Sequence, residues 1–126
     1  MELIQGEGGV MALDPEYVQA VRAAGPNPCP PITVGVGIGG NMERAAILAK
    51  YALTRTVGEH NKDERYAALE DELLELVNKT GVGPSGLGGS TTALAVNVEF
   101  THTHIGGMPC AVNLNCHQAR KAEAEI

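Results

Sequence analysis

A chain of 126 residues has the length of one ordinary domain and can bury a core of its own. With 44% apolar and 19% charged residues it is globular rather than disordered, and with 3% aromatics and no Trp its core must rest on Ala, Val, Leu and Ile. A formal charge of −6 argues against a nucleic-acid or anionic-membrane partner, and the shortage of aromatics argues against base stacking.

No segment approaches the apolar length of a membrane span. The opening Met1-Glu2-Leu3-Ile4-Gln5 lacks the basic and apolar regions of a signal peptide, so a cytoplasmic address is expected. There the three cysteines read as thiols or metal ligands rather than disulfides. The 16 glycines are clustered, which suits backbone lying close to a ligand.

Residues 1–12 carry weak signals, with a break at Gly6-Glu7-Gly8-Gly9. Asp14 and Pro15 read as an N-cap and a proline at the first helical position. Val18, Val21 and Arg22 then fit a short helix that Gly25 ends. The prolines of Gly25-Pro26-Asn27-Pro28-Cys29-Pro30-Pro31 exclude helix and hold Cys29 in a stiff, extended backbone. Ile32 to Ile38 alternates as a strand whose glycines admit a close neighbour. Gly39-Gly40-Asn41 turns into a helix over Met42 to Thr54, apolar almost all round and therefore buried. Val57 to Lys62 is polar loop.

Asp63 to Lys79 is amphipathic, with Tyr66, Leu69, Leu73, Leu76 and Val77 on one face and Glu70, Asp71, Glu72 and Glu75 on a solvated one. Gly81 to Thr92 is a second glycine-rich loop. Strands are expected over Ala93 to Thr103 and Pro109 to Asn115, and a terminal helix over His117 to Glu125. The sum is an α+β, or mixed α/β, single domain of short central strands and flanking helices.

Gly35, Gly37 and Gly40 match a dinucleotide fingerprint, with Glu59 about twenty residues on. Yet no β-α-β unit returning a parallel strand that ends in an acid is evident, and a tight strand-to-helix turn is the simpler reading. Cys29, among prolines beside a glycine-rich turn, divides evenly between metal ligand and buried hydrophobe. Cys110 and Cys116 point to one strand face as core, but Cys116 also opens the expected terminal helix, where the dipole favours thiolate. His102 and His104 share a strand face, and with a cysteine could form a small zinc-binding module. His60 and His117 carry no comparable signal.

Six segments, in order, resemble the alpha region of class I fumarate hydratases and L(+)-tartrate dehydratases. They are Gly-Pro-Asn-Pro-Cys-Pro-Pro-Ile at 25–32, Val-Gly-Val-Gly-Ile-Gly-Gly-Asn-Met-Glu-Arg-Ala at 34–45 and Leu-Glu-Asp-Glu-Leu-Leu-Glu at 69–75. Gly-Val-Gly-Pro-Ser-Gly-Leu-Gly-Gly at 81–89, Thr-Thr-Ala-Leu-Ala-Val-Asn at 91–97 and Ala-Val-Asn-Leu-Asn-Cys-His at 111–117 complete the set. The resemblance covers residues 25–126, with 1–24 a divergent N-terminal segment. It implies a hydro-lyase that adds or removes water on a dicarboxylic acid (fumarate/malate or tartrate/oxaloacetate). A 4Fe-4S cluster held by three cysteines would leave one iron open to substrate.

Carried over by position, Cys29 and Cys116 are two cluster ligands and His104 a substrate-contacting histidine, while Cys110 has no counterpart and stays core. The family's first cluster cysteine lies beside an Asp-Thr-Gly-Thr stretch that this sequence lacks, Ser90 stands where lysine is common, and the beta region is absent. The expectation is a partial enzyme, inactive alone, whose partners are the upstream alpha segment and a beta region or subunit. An apolar face left by the missing parts would favour self-association. A non-catalytic fold remnant or assembly subunit, and the zinc module, are the alternatives.

Overall fold

The computed structural model describes residues 2–5, 13–119 and 122–126. Along them run β1 (Glu2–Gln5), α1 (Leu13–Ala24), β2 (Ile32–Ile38), α2 (Met42–Ala52), α3 (Glu64–Asn78), β3 (Ala93–Phe100) and β4 (Pro109–Asn115). The strands form one mixed sheet in the order β1-β4-β2-β3, parallel between β2 and β3 and antiparallel elsewhere. Short central strands flanked by helices are the α+β arrangement that the periodicities predict. No helix among the described residues is long and apolar enough to cross a membrane.

All seven residues of β2 are buried, because it lies between two strands and two helical layers. Ile32, Val34, Val36 and Ile38 join Tyr17 and Val21 of α1 and Leu69, Leu73 and Val77 of α3 in the main core. Each such side chain contributes roughly 1.5–3 kcal/mol by leaving water. The other face of β2 meets α2 at unusually short range. A Cβ on Gly35 would lie 2.2 Å from the Ala49 carbonyl oxygen, and one on Gly37 would lie 2.0 Å from that of Ala45. The strand glycines do admit a close neighbour, and it is the α2 backbone. Ala45, Ala49 and Ala111 fill the thin layer between them.

Several expectations are corrected. The helix over Met42 to Thr54 is not buried all round: it ends at Ala52, and Ile47 and Tyr51 are 51% and 64% exposed. α1 begins at Leu13, one residue ahead of the expected Asp14 cap. β3 stops at Phe100 rather than Thr103, because β2 ends at Ile38 and leaves the next residues without a partner strand. The terminal helix over His117 to Glu125 is a single 3-10 turn, His117–Ala119, and residues 122–126 are exposed without regular structure. That stretch has no apolar stripe to bury, and a short helix without tertiary packing is marginal.

The segment around Cys29 is not extended. Cys29 has φ 55 and closes a turn with its N–H on the Pro26 carbonyl at 3.0 Å. β1 gave no signal in the sequence, being four residues without alternation. The break at 6–9 lies outside the described residues.

Candidate functional site

The register of β2 against β4 fixes which functional residues meet. Thr33 pairs with Asn115 at one end and Ile38 with Cys110 at the other. Cys29 precedes β2 and Cys116 follows β4, so both cysteines emerge at the Thr33 end. Their segments touch: the His117 ring Nδ1 lies 3.1 Å from the Cys29 carbonyl oxygen. Cys29 is exposed and Cys116 half-buried, with the Cys116 N–H donating to the Asn115 side-chain oxygen at 3.1 Å.

The second glycine-rich loop braces the Cys29 turn from the other side. The Ser85 N–H donates to the Pro30 carbonyl at 2.8 Å, and a Cβ on Gly86 would meet Pro26 Cβ at 2.5 Å. The loop is anchored at its far end by Asn78, whose side-chain oxygen accepts the N–H groups of Thr92 and Ala93, each at 2.9 Å. Gly83 and Gly86 thus serve packing against protein, whereas a Cβ on Gly81 or Gly88 would meet nothing within 4 Å. Thr33 Oγ1 and Asn113 Nδ2 are buried without a hydrogen-bond partner among the described residues, and their strand positions flank the pairs leading to Cys116. Groups of this kind are normally satisfied by water or ligand.

His104 sits at the opposite end. The Gly40 N–H donates to the His102 carbonyl at 3.1 Å and the Gly39 N–H to the Pro109 carbonyl at 2.9 Å, which ties the 101–108 loop to the Ile38 end of β2. At about 3.3 Å per strand residue, the length of β2, roughly 20 Å, separates this loop from the cysteines. His104 therefore does not lie beside the two cysteines of its own chain. His104 is exposed, and its Nδ1 accepts the Gly106 N–H at 2.9 Å. The neutral ring thus carries its proton on Nε2, available to an incoming acceptor. His102 and His104 lie in irregular backbone, not on one strand face.

Cys110 is buried in the core, where its apolar row predicts it. Among the described residues no group of three or more His, Cys, Asp or Glu comes together to hold a metal ion, so the zinc module has no ligand set there. The dinucleotide fingerprint fails for a different reason from the one the sequence offers. A parallel strand does return, since β3 pairs with β2, but Gly35 and Gly37 lie within the strand and α2 carbonyls occupy the space a phosphate would need.

The sequence reading missed a buried charge cluster at the outer edge of β3. Glu70, whose side chain is 2% exposed, ion-pairs with Arg55, which also pairs with Glu99. Glu70 accepts the N–H groups of Val98 at 2.8 Å and Asn61 at 3.0 Å, and lies 3.3 Å from His60 Nδ1. Arg55 and Asn61 donate to the Val98 carbonyl at 3.0 and 2.7 Å. Burial alone would lower the Arg55 pKa, but its hydrogen bonds to Glu99 and Glu70 win and raise it. The cluster caps the sheet edge at Val98, where unpaired backbone would otherwise be open to another strand. Arg55 is shared between two carboxylates, and its hydrogen bond and that of Glu70 to the Val98 backbone make the arrangement structural. Tyr17, fully buried, has its phenol pKa pushed well up by burial and stays a neutral core group.

A family model described as fumarate hydratase (fumerase) matches residues 2–125. A protein of Methanocaldococcus jannaschii provisionally named L(+)-tartrate dehydratase subunit alpha is 39% identical over 126 residues, covering all of this chain and 44% of that protein. L(+)-tartrate dehydratase alpha subunits from two strains of Escherichia coli are 35% identical over 100 residues and 37% over 95. Those alignments cover 79% and 75% of this chain and 33% and 31% of theirs. The chain thus spans less than half the length of these relatives. With a family match running from its second residue to its last but one, the chain belongs to the fumarate hydratase (fumerase) family.

Proposed function

We propose that this chain is part of the alpha region of an iron–sulfur hydro-lyase and supplies Cys29 and Cys116 as two ligands of a 4Fe-4S cluster. The assembled enzyme would reversibly add or remove water on a dicarboxylic acid of the fumarate/malate or tartrate/oxaloacetate type. The observation that carries this reading is the meeting of the two cysteine segments at one end of the sheet, through His117 and the Cys29 carbonyl, in a member of this family. The donor chemistry fits: two thiols, one exposed and one half-buried, emerge from turns at the same end, while Cys110 is in the core.

When bound, such a cluster supplies a Lewis-acidic iron that polarises the substrate hydroxyl. The residues of this chain hold and orient. Cys29 is presented on a turn braced by Ser85 and His117, and Cys116 on the end of β4. His104 can donate its Nε2 proton to a substrate carboxylate or hydroxyl. Lying at the far end of β2, it would do so at a cluster other than the one its own cysteines hold. Two thiols are too few for a cubane cluster, so the third comes from an upstream alpha segment. The chain by itself is inactive, and a beta region or subunit completes the substrate site. The alpha-subunit names of the relatives support such a partner. Reduced thiols suit a cytoplasmic setting.

Anaerobic reconstitution of the chain with those parts, iron and sulfide should give a brown protein that hydrates fumarate or dehydrates tartrate. A colourless, inactive assembly would sink the enzyme reading. It would favour the second reading, a non-catalytic assembly subunit, which the lack of a three-ligand group among the described residues also suits.

A further inference from the structure

His117 has no place in the reading above beyond its contact with Cys29, and that contact has a definite chemical sense. A carbonyl oxygen can only accept, so at 3.1 Å the Nδ1 of His117 must carry the proton and donate it to the Cys29 oxygen. The bond is long-range in sequence, joining positions 88 residues apart. It spans the two segments that carry the exposed and half-buried thiols, and it starts from the residue next to Cys116.

The two segments need such a tie. Cys29 sits at φ 55, in the left-handed region that a non-glycine residue occupies only when its surroundings hold it there. Among the described residues its thiol makes one long contact, 3.9 Å, to the Asn27 carbonyl. On the other side, the chain leaves the β4 ladder at Asn115, and the 3-10 turn of three residues that follows has little of its own to fix it.

We propose that His117 is a positioning residue: by donating Nδ1–H to the Cys29 carbonyl it locks the two cysteine segments together, so that the Cys29 and Cys116 thiols are presented as a pair before any metal arrives. This rests on the reading that those two thiols are cluster ligands, but it concerns the metal-free chain and is tested there.

The test uses the full chain, reduced and metal-free, in a Cys110→Ala background so that only two thiols react. Dibromobimane, which becomes fluorescent on bridging two nearby thiols, reports how often Cys29 and Cys116 are held as a pair. Peptide mapping identifies the bridge. His117→Phe keeps a ring and removes the donor, whereas His117→Asn places an amide N–H where Nδ1 stood. The bridging rate should fall about three- to tenfold in His117→Phe, the range for one hydrogen bond, and return toward the parent in His117→Asn. Single-site alkylation of each thiol and the circular dichroism spectrum should stay unchanged throughout.

Equal bridging in the parent and His117→Phe overturns the proposal. So does a loss that His117→Asn leaves unrepaired, because then the ring and not its donor matters. If His117→Phe alters the fold, the comparison of His117→Asn with His117→Asp, an acceptor of the same shape, decides in its place: equal bridging by those two overturns the proposal. Failure of the iron–sulfur reading is seen separately. A chain whose bridging depends on His117 but which never takes up iron keeps the tie and loses the cluster.

Discussion

Glu70 shows how much one residue can decide. Its carboxylate is buried with Arg55 and takes the Val98 and Asn61 N–H groups, so its loss leaves a buried cation and orphaned donors together. Breaking a buried pair from one side is the costly case, and Glu70→Ala should lower stability by about 3 kcal/mol, read as a shift in the urea midpoint. A change near zero would show that the ion pair is not formed in solution. The helical spacing did contain the signal: Glu70 lies four residues after Tyr66, three before Leu73 and seven before Val77, on the buried stripe. Grouping it with neighbouring acids as solvated surface followed composition and ignored period. Arg55 gave no such signal, because it lies in the turns beyond α2 and its partners are distant in sequence. His117 was equally silent, since its contact depends on where β4 ends.

At the scale of elements, the glycine pattern of β2 was legible as an invitation to a close neighbour, and α2 is that neighbour. Gly37→Ala would drive a Cβ into the Ala45 carbonyl, and relief requires α2 to lift off the sheet. A loss of about 3 kcal/mol, at the upper end for overpacking, is expected from denaturant unfolding, with Gly35→Ala behaving alike. A neutral result at both would contradict the close packing of α2 on β2.

α3 was legible almost residue for residue because its caps are conventional. Asp63 accepts the Arg65 N–H at 3.0 Å, and that residue's guanidinium at 2.9 Å. The side-chain hydrogen bond from Arg65 holds the Asp63 pKa below the ordinary carboxylate value. A depressed folded pKa stabilises above the unfolded value, near 4, and that contribution is lost as pH falls through the folded value. Asp63→Asn should therefore lower the neutral plateau of the stability–pH curve, flatten its acid limb and leave the stability at low pH nearly unchanged. An acid limb identical to the parent would contradict this. The terminal helix was the element misread, since alanines and charges alone do not stabilise a helix that has nothing to pack against.

For the whole molecule, the fold class followed from alternating periods, but the arrangement of the site did not. Strand positions alone left open which ends of β2 and β4 lie together, and register settled it: the cysteines fall at one end and His104 at the other. His104→Asn should therefore leave cluster content in the assembled enzyme intact while lowering turnover at least tenfold, the scale for a lost proton-transfer or hydrogen-bonding group. Loss of iron in that variant would place His104 in the folding of the cysteine end instead.

The most direct test of the account is the iron and sulfide content of the anaerobically assembled alpha and beta parts, with each cysteine of this chain replaced in turn. About four irons per copy of this chain are expected, lost in Cys29→Ser and in Cys116→Ser and kept in Cys110→Ala. Full iron retention in Cys29→Ser or Cys116→Ser, or loss confined to Cys110→Ala, would contradict it.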